Sequence, residues 1–206
     1  MAYRNILFDM GNVLLFYDPN KALKEMATHL KPLTAMLLWA KKEEFLKELR
    51  VEADMLETGR MAIAQFFSRL KGKIGLDMEL DAFVQVWNDI FTANRETIAL
   101  AQRLSDRFNC YILSNTNEAH YRHVTALFPE LSFIKGAALS YELGVMKPDA
   151  EFYLKALDVL GVMAEESVFV DDLTPNVAGA QATGIHALHF VNAAQLETDL
   201  AAIGIC

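Results

Sequence analysis

The stretch Asn5-Ile6-Leu7-Phe8-Asp9-Met10-Gly11-Asn12-Val13-Leu14-Leu15-Phe16 decides the fold. Its opening run, apolar after Asn5, is short and stops at Asp9. A run of that length bounded by turn residues reads as a strand buried on both faces. Gly11 and Asn12 then turn the chain into a second apolar run, Val13 to Phe16. The same pattern returns later. Cys110-Tyr111-Ile112-Leu113 is a predicted strand ending at Ser114, and Val168-Phe169-Val170 is another ending at Asp171. Shorter strands are predicted over 137–139 and 187–191. Helices are predicted over 96–107, 119–127, 150–160 and 176–183, the last two stopped by Gly161 and Gly184. Strand–helix alternation of this kind predicts an α/β fold, a doubly wound parallel sheet with helices on both faces. Ligands in such sheets bind beyond the carboxyl ends of the strands. Three predicted strands place a polar residue there: Asp9, Ser114 and Asp171.

Residues 20–97 break the alternation. Helical spacing is predicted over 21–27, 34–49, 62–70 and 80–91, with Pro32 as a start signal and a Gly-Lys-Ile-Gly break at 72–75. No strand is expected in this stretch. The chain therefore reads as a discontinuous core, 1–16 plus 98–206, with an all-helical cap inserted at 17–97 after the first strand. Such an insert would sit above the strand tips as a lid. Phe83, Trp87 and Phe91, at i, i+4 and i+8, read as a helical core stripe, and part of it could serve a protein interface. Trp39 reads as core packing on its apolar helix. Arg60 reads as a surface arginine, and Lys41-Lys42-Glu43-Glu44 as a solvated face.

Composition narrows the classes. The 206 residues are 53% hydrophobic, which is enough for a real core and excludes a disordered chain. The 27 acidic residues against 19 basic ones leave a net charge of −8, which argues against sequence-independent nucleic-acid binding. No run of about 18 apolar residues is present, so no membrane span is expected. The first residues lack the pattern of a signal peptide, and a cytoplasmic location is expected. Cys110 and Cys206 do not suggest a disulfide framework. Cys110 reads as a small core residue, and Cys206 as a residue open to solvent. A monomer or a homodimer is expected.

The strand-end residues suggest chemistry only as a group. Asp9 alone reads as a turn aspartate, and Lys147 in Gly144-Val145-Met146-Lys147-Pro148-Asp149 as an exposed lysine ahead of a helix with Pro148 at its first position. The adjacent Asp171 and Asp172 follow an apolar strand, where paired negative charge is costly without a cation. Oxygen-only carboxylate clusters suit Mg²⁺. His120 and His123 fall on a predicted helix after Ser114 and read as helix-surface residues near the site mouth.

In chain order, I-L-F-D-M-G-N-V-L, Y-I-L-S-N-T-N, M-K-P-D-A-E-F-Y and V-F-V-D-D-L-T-P-N-V-A-G-A resemble the four motifs of the haloacid dehalogenase-like (HAD) hydrolase superfamily. The match covers the whole core, and the insert has the position of the family's helical cap. The F-D-M-G-N-V form is similar to bacterial phosphatases of the glucose-1-phosphate phosphatase kind. The resemblance implies a phosphatase acting on a small phosphorylated metabolite, with Asp9 as nucleophile. It implies Mg²⁺ bound by Asp9, the backbone carbonyl of Gly11 and the Asp171–Asp172 pair. Asp172 is the choice for direct ligation, with Asp171 acting through a water, and the reverse order is the alternative. Ser114 and the Asn115 amide would hold phosphoryl oxygens, and Lys147 would neutralise charge in the transition state. Asn176 is left between ordering this loop and starting the helix.

One departure matters. Phosphatases of the family carry a second aspartate two residues after the nucleophile, and Gly11 stands there. General acid–base help is worth about 10²–10⁴ in rate. Three readings follow. In the first, the substrate is a sugar phosphate with a leaving group as good as an anomeric oxygen, helped by Mg²⁺-bound water or another residue. In the second, the reaction is the metal-independent cleavage of a 2-haloacid, which needs no acid. In the third, the chain is a weakly active phosphate-binding or regulatory protein. The Asp171–Asp172 pair favours the first.

Overall fold

The computed structural model describes residues 3–205. Cys206, expected to be open to solvent, lies outside the described residues. The chain begins with β1 (Asn5–Phe8) and β2 (Leu15–Tyr17). Five helices follow: α1 (Pro19–Thr28), α2 (Pro32–Ala40), α3 (Lys42–Glu57), α4 (Ile63–Ile74) and α5 (Leu80–Asn88). Then come β3 (Phe91–Ala93), α6 (Arg95–Ser105), β4 (Asn109–Ser114), α7 (Glu118–Leu127), β5 (Gly136–Leu139) and α8 (Ser140–Leu143). The chain closes with α9 (Ala150–Leu160), β6 (Ser167–Asp171), α10 (Thr174–Ala182), β7 (His186–His189) and α11 (Ala193–Ala202).

Five strands form one parallel sheet in the order β5-β4-β1-β6-β7. The chain builds outward from β1 to β4 and β5, then returns to the other side of β1. The order therefore reverses beside β1, and that crevice is where open α/β sheets bind ligands. Both faces of the sheet are buried. Ile6, Phe8, Cys110, Ile112, Val168 and Val170 share one apolar cluster. Leu7, Leu113 and Phe169 alternate to the other, under Phe152 and Tyr153 of α9 and Val177 and Ala180 of α10. This is the period of two that a pleated strand imposes. Helix α9 ends as expected at Gly161, whose φ of 65° is the left-handed conformation of a helix C-cap.

The stretch expected to hold no strand contains one. β3 pairs antiparallel with β2, with Phe16 opposite Thr92. Phe91 thus belongs to a strand rather than to the helix predicted over 80–91. Three residues of ribbon following an aromatic helix carry too little period-two signal to be separated from it. The helix predicted over 34–49 is two helices, broken at Lys41, and the first lays only Leu38 against the core. Trp39 consequently stands 42% exposed, not packed in the core. Helix α4 runs through the expected break at 72–75 and ends at Gly75. Pro148 precedes its helix instead of opening it, because Asp149 is the N-cap and accepts from the Glu151 N–H at 2.9 Å. Helices α8 and α11 were not anticipated from periodicity.

The insert has its own aromatic interior, with Phe66–Trp87 centroids 4.8 Å apart and Phe67–Phe83 5.0 Å apart. It is continuous with the core cluster on one side of the sheet. No helix among the described residues is long and apolar enough to cross a membrane.

Candidate active site

The register of the sheet brings the site together. Phe8 is level with Ile112 of β4 and Val170 of β6, so the three strands end within two residues of one another, at Phe8, Ser114 and Asp171. The Asp9 N–H donates to the Val170 carbonyl at 2.8 Å, which fixes Asp9 beside Asp171. Lys147 enters from the loop before α9. Its Nζ lies 2.9 Å from Asp9 Oδ1 and 2.7 Å from Asp171 Oδ2, and donates to the Leu113 carbonyl at 2.9 Å. The lysine expected alone to be exposed is in fact buried, with a side chain 1% exposed. All three ammonium protons have an acceptor, which is what a buried charge requires.

The neighbours hold these groups in place. Asp171 is fully buried and accepts from the Leu173 N–H at 2.8 Å and from Asn176 Nδ2 at 3.0 Å on each oxygen. Asn176 thus orders this loop and does not start the helix, which begins at Thr174 with Leu173 as its N-cap. Asn115 pairs with the Lys147 backbone in both directions: its Nδ2 donates to the carbonyl at 2.9 Å, and its Oδ1 accepts from the N–H at 2.8 Å. Ser140 Oγ accepts from the Thr116 N–H at 2.9 Å and donates to the Thr116 carbonyl at 3.1 Å, tying the loop after β4 to α8. Asn12 adopts a left-handed φ of 57°, a conformation asparagine tolerates. From there its Nδ2 donates to Asp172 Oδ2 at 3.1 Å. The contacts of Asn12, Asn115 and Ser140 join residues far apart in the chain, so no local pattern announced them.

Carboxylate oxygens of Asp9, Asp171 and Asp172 lie within 4.8 Å of one another. Burial, helped by Asp171 and Asp172, pushes the Asp9 carboxyl up to about 7 against the pull of Lys147. Burial also raises Asp172, opposed by its bond to Asn12. For Lys147, burial works against the charge, but Asp9 and Asp171 outweigh it and hold the ammonium above its ordinary range. Three carboxylates against one ammonium leave an excess of negative charge. The donor set is oxygen-only and hard, so it fits Mg²⁺.

A cavity of about 210 Å³ opens over this cluster. Asp9, Gly11, Ser114, Asn115, Lys147 and Asp172 form its floor, and Tyr17, Arg50, Glu57 and Phe91 face them from the ribbon and the insert. Ser114 and Asn115 therefore stand where phosphoryl ligands were expected. Thr116, also on the wall, has a buried Oγ1 with no hydrogen-bond partner among the described residues.

His120 lines the cavity too, buried rather than on a helix surface. Its ring stacks on Trp87 with centroids 5.3 Å apart, and Nε2 lies 3.1 Å from the Trp87 carbonyl. Asn117 Oδ1 caps α7 by accepting from the His120 N–H, so the Asn117 amide turns its NH₂ to His120 Nδ1. These partners define a neutral ring protonated at Nε2, and burial lowers its pKa to about 4. Arg60 is not among the cavity's lining residues, and its Nε donates to Thr58 Oγ1 at 2.8 Å.

The chain matches the haloacid dehalogenase-like hydrolase family over residues 3–184 and belongs to it. It is 27% identical to a sesquiterpene phosphatase of Aspergillus oryzae over 93% of this chain and 91% of that protein. It is 25% identical to a D-ribitol-5-phosphate phosphatase of Bacteroides thetaiotaomicron over 97% of this chain and 98% of the relative. Among solved structures, a HAD family enzyme from Bacteroides thetaiotaomicron superposes with a TM-score of 0.79 at 22% identity, covering 93% of this chain and 95% of the other. That enzyme has also been crystallised with magnesium and inorganic phosphate.

Proposed function

We propose that this hydrolase is a Mg²⁺-dependent phosphatase of small phosphomonoesters, working through a phosphorylated Asp9. The observation that carries the reading is the Lys147 ammonium clamped between Asp9 and Asp171, with Asp172 as a third carboxylate on the cavity floor. Asp9 attacks phosphorus. The Ser114 hydroxyl and the Asn115 backbone N–H bind phosphoryl oxygens. Lys147 orients the nucleophile and offsets charge as it builds on the transferring group. Asp171 and Asn176 hold Lys147 at its post. Mg²⁺ held by Asp9, the Gly11 carbonyl and Asp172, with Asp171 through a water, would supply the remaining positive charge. Asp172 suits direct ligation because Asp171 already spends its oxygens on Lys147, Asn176 and the Leu173 N–H.

Within this reading, 1–16 and 98–206 act as the chemical core and 17–97 as a cap that excludes water and meets the leaving group. The substrate proposed is a sugar or polyol phosphate. A D-ribitol-5-phosphate phosphatase among the relatives supports that class, as does the polar wall of Arg50, Glu57 and Tyr17. A 2-haloacid dehalogenase would have no use for the third carboxylate.

Purified protein given p-nitrophenyl phosphate should release phosphate with Mg²⁺ and stop with EDTA. Asp9→Asn should abolish turnover. Full activity in either case rejects the corresponding assignment. Halide released from a 2-haloacid without metal would replace the phosphatase reading. A burst of phosphorylated Asp9 without turnover would mark a binding protein.

A further inference from the structure

We propose that Glu57, the last residue of α3, is the general acid and base of this site. It rests on the phosphatase reading. The position that normally carries this carboxylate is Gly11, and the backbone there does not require glycine, since Gly11 is absent from the left-handed residues. A Cβ built on Gly11 would meet a single neighbour within 4 Å, Tyr17 Cβ at 3.9 Å. A side chain at position 11 would therefore enter the part of the cavity walled by Tyr17, and Glu57 lines that same cavity.

Elimination leads to the same residue. Among the described residues three carboxylates line the cavity: Asp9, Asp172 and Glu57. Asp9 is the nucleophile, and Asp172 belongs to the oxygen cluster beside it. His120 is the cavity's imidazole, but both its ring nitrogens are engaged and it carries no spare proton at neutral pH. Tyr17 is a weaker acid than an ordinary phenol, because burial and Glu57 raise its pKa. Glu57 remains. Its side chain is only 16% exposed, and burial raises its pKa with help from Asp54. Arg50 opposes that shift from 3.3 Å, while itself bound to Asp54 at 2.7 Å. The groups facing Glu57 are thus Arg50 and Asp54 on its own helix and Tyr17 from the ribbon.

The steps balance. An Asp9 carboxylate oxygen forms a bond to phosphorus as the ester P–O bond breaks. The leaving oxygen keeps the electron pair and takes the Glu57 proton. Water then attacks phosphorus and gives its proton to the Glu57 carboxylate. The Asp9–phosphorus bond breaks, releasing phosphate and restoring both carboxyl groups.

The test compares Glu57→Gln with wild type on a primary-alkyl phosphate and on p-nitrophenyl phosphate, whose phenolate leaves unprotonated. The alkyl ester should lose about 10²–10⁴-fold in kcat/KM. The aryl ester should lose less than about tenfold in kcat/KM, which reports the first transfer. Its kcat should fall as phosphorylated Asp9 accumulates. Adding Gly11→Asp to Glu57→Gln should restore alkyl-ester turnover. Equal losses on both esters, or none, overturn the role of Glu57 while leaving the phosphatase reading intact. Absence of turnover by wild type on either ester removes both. If Glu57→Gln does not fold, Glu57→Asp faces the same comparison, and an unchanged ratio between the esters overturns the proposal.

Discussion

Lys147 shows how much can rest on one side chain. Its ammonium holds two carboxylates that would otherwise face each other in a buried space. Removing one partner of a buried charge cluster typically costs about 3–5 kcal/mol. Lys147→Met should lose stability of that order in urea denaturation, and should lose phosphate release as well. A variant as stable as wild type would show that the clamp carries no net charge burden. Asp9, Ser114 and Asp171 could be read from sequence because each follows or ends an apolar strand, and Asp172 because it stands next to Asp171. Lys147 could be read only from its order among them. The side-chain contacts of Asn12, Asn115 and Ser140 could not, since their partners stand many residues away and only the sheet register brings them close. Glu57 carried no signal, lying at the end of an ordinary charged helix.

Helix α7 joins the two parts of the molecule through its first turn. Asn117 caps it, and His120 reaches from it to the Trp87 carbonyl on α5. The folded pKa of His120, about 4, lies below the ordinary 6.5. As pH falls, the unfolded chain therefore binds this proton first. The stabilisation is complete above about pH 6.5 and drains away towards pH 4, with a slope of at most about 1.4 kcal/mol per pH unit. Urea midpoints measured across that window should fall with acid, and His120→Gln should flatten the slope. An equally steep slope in the variant would assign the effect to other groups. Sequence reasoning placed this helix within a residue but put His120 on its surface. A helix face is legible in a pattern only when its neighbour is known, and α5 is far away in the chain. The ribbon strand β3 was hidden for a related reason, because its three residues continue an aromatic helix.

At the scale of the whole molecule, the α/β fold and its parallel sheet were legible, because many elements repeat one pattern. The net charge of −8 belongs mostly to the solvent-facing shell. An anionic ester must approach through that field before it meets Lys147. Raising ionic strength from about 0.01 to about 0.1 M shortens the screening length from about 30 to about 10 Å. With Mg²⁺ saturating, kcat/KM for a phosphate ester should rise with salt while kcat stays level. A fall in kcat/KM would mean that a local positive field dominates the approach.

The pairing of β2 with β3 also bears on how such a protein can vary. Residues 18–90 leave and return through two hydrogen-bonded neighbours, so their ends are already joined. The entropy of closing a loop grows only with the logarithm of its length, about 0.6 kcal/mol per doubling. Lengthening, shortening or exchanging the segment between those strands therefore costs the sheet little. The ribbon works as a socket: the strand tips can stay fixed while the segment between β2 and β3 is exchanged.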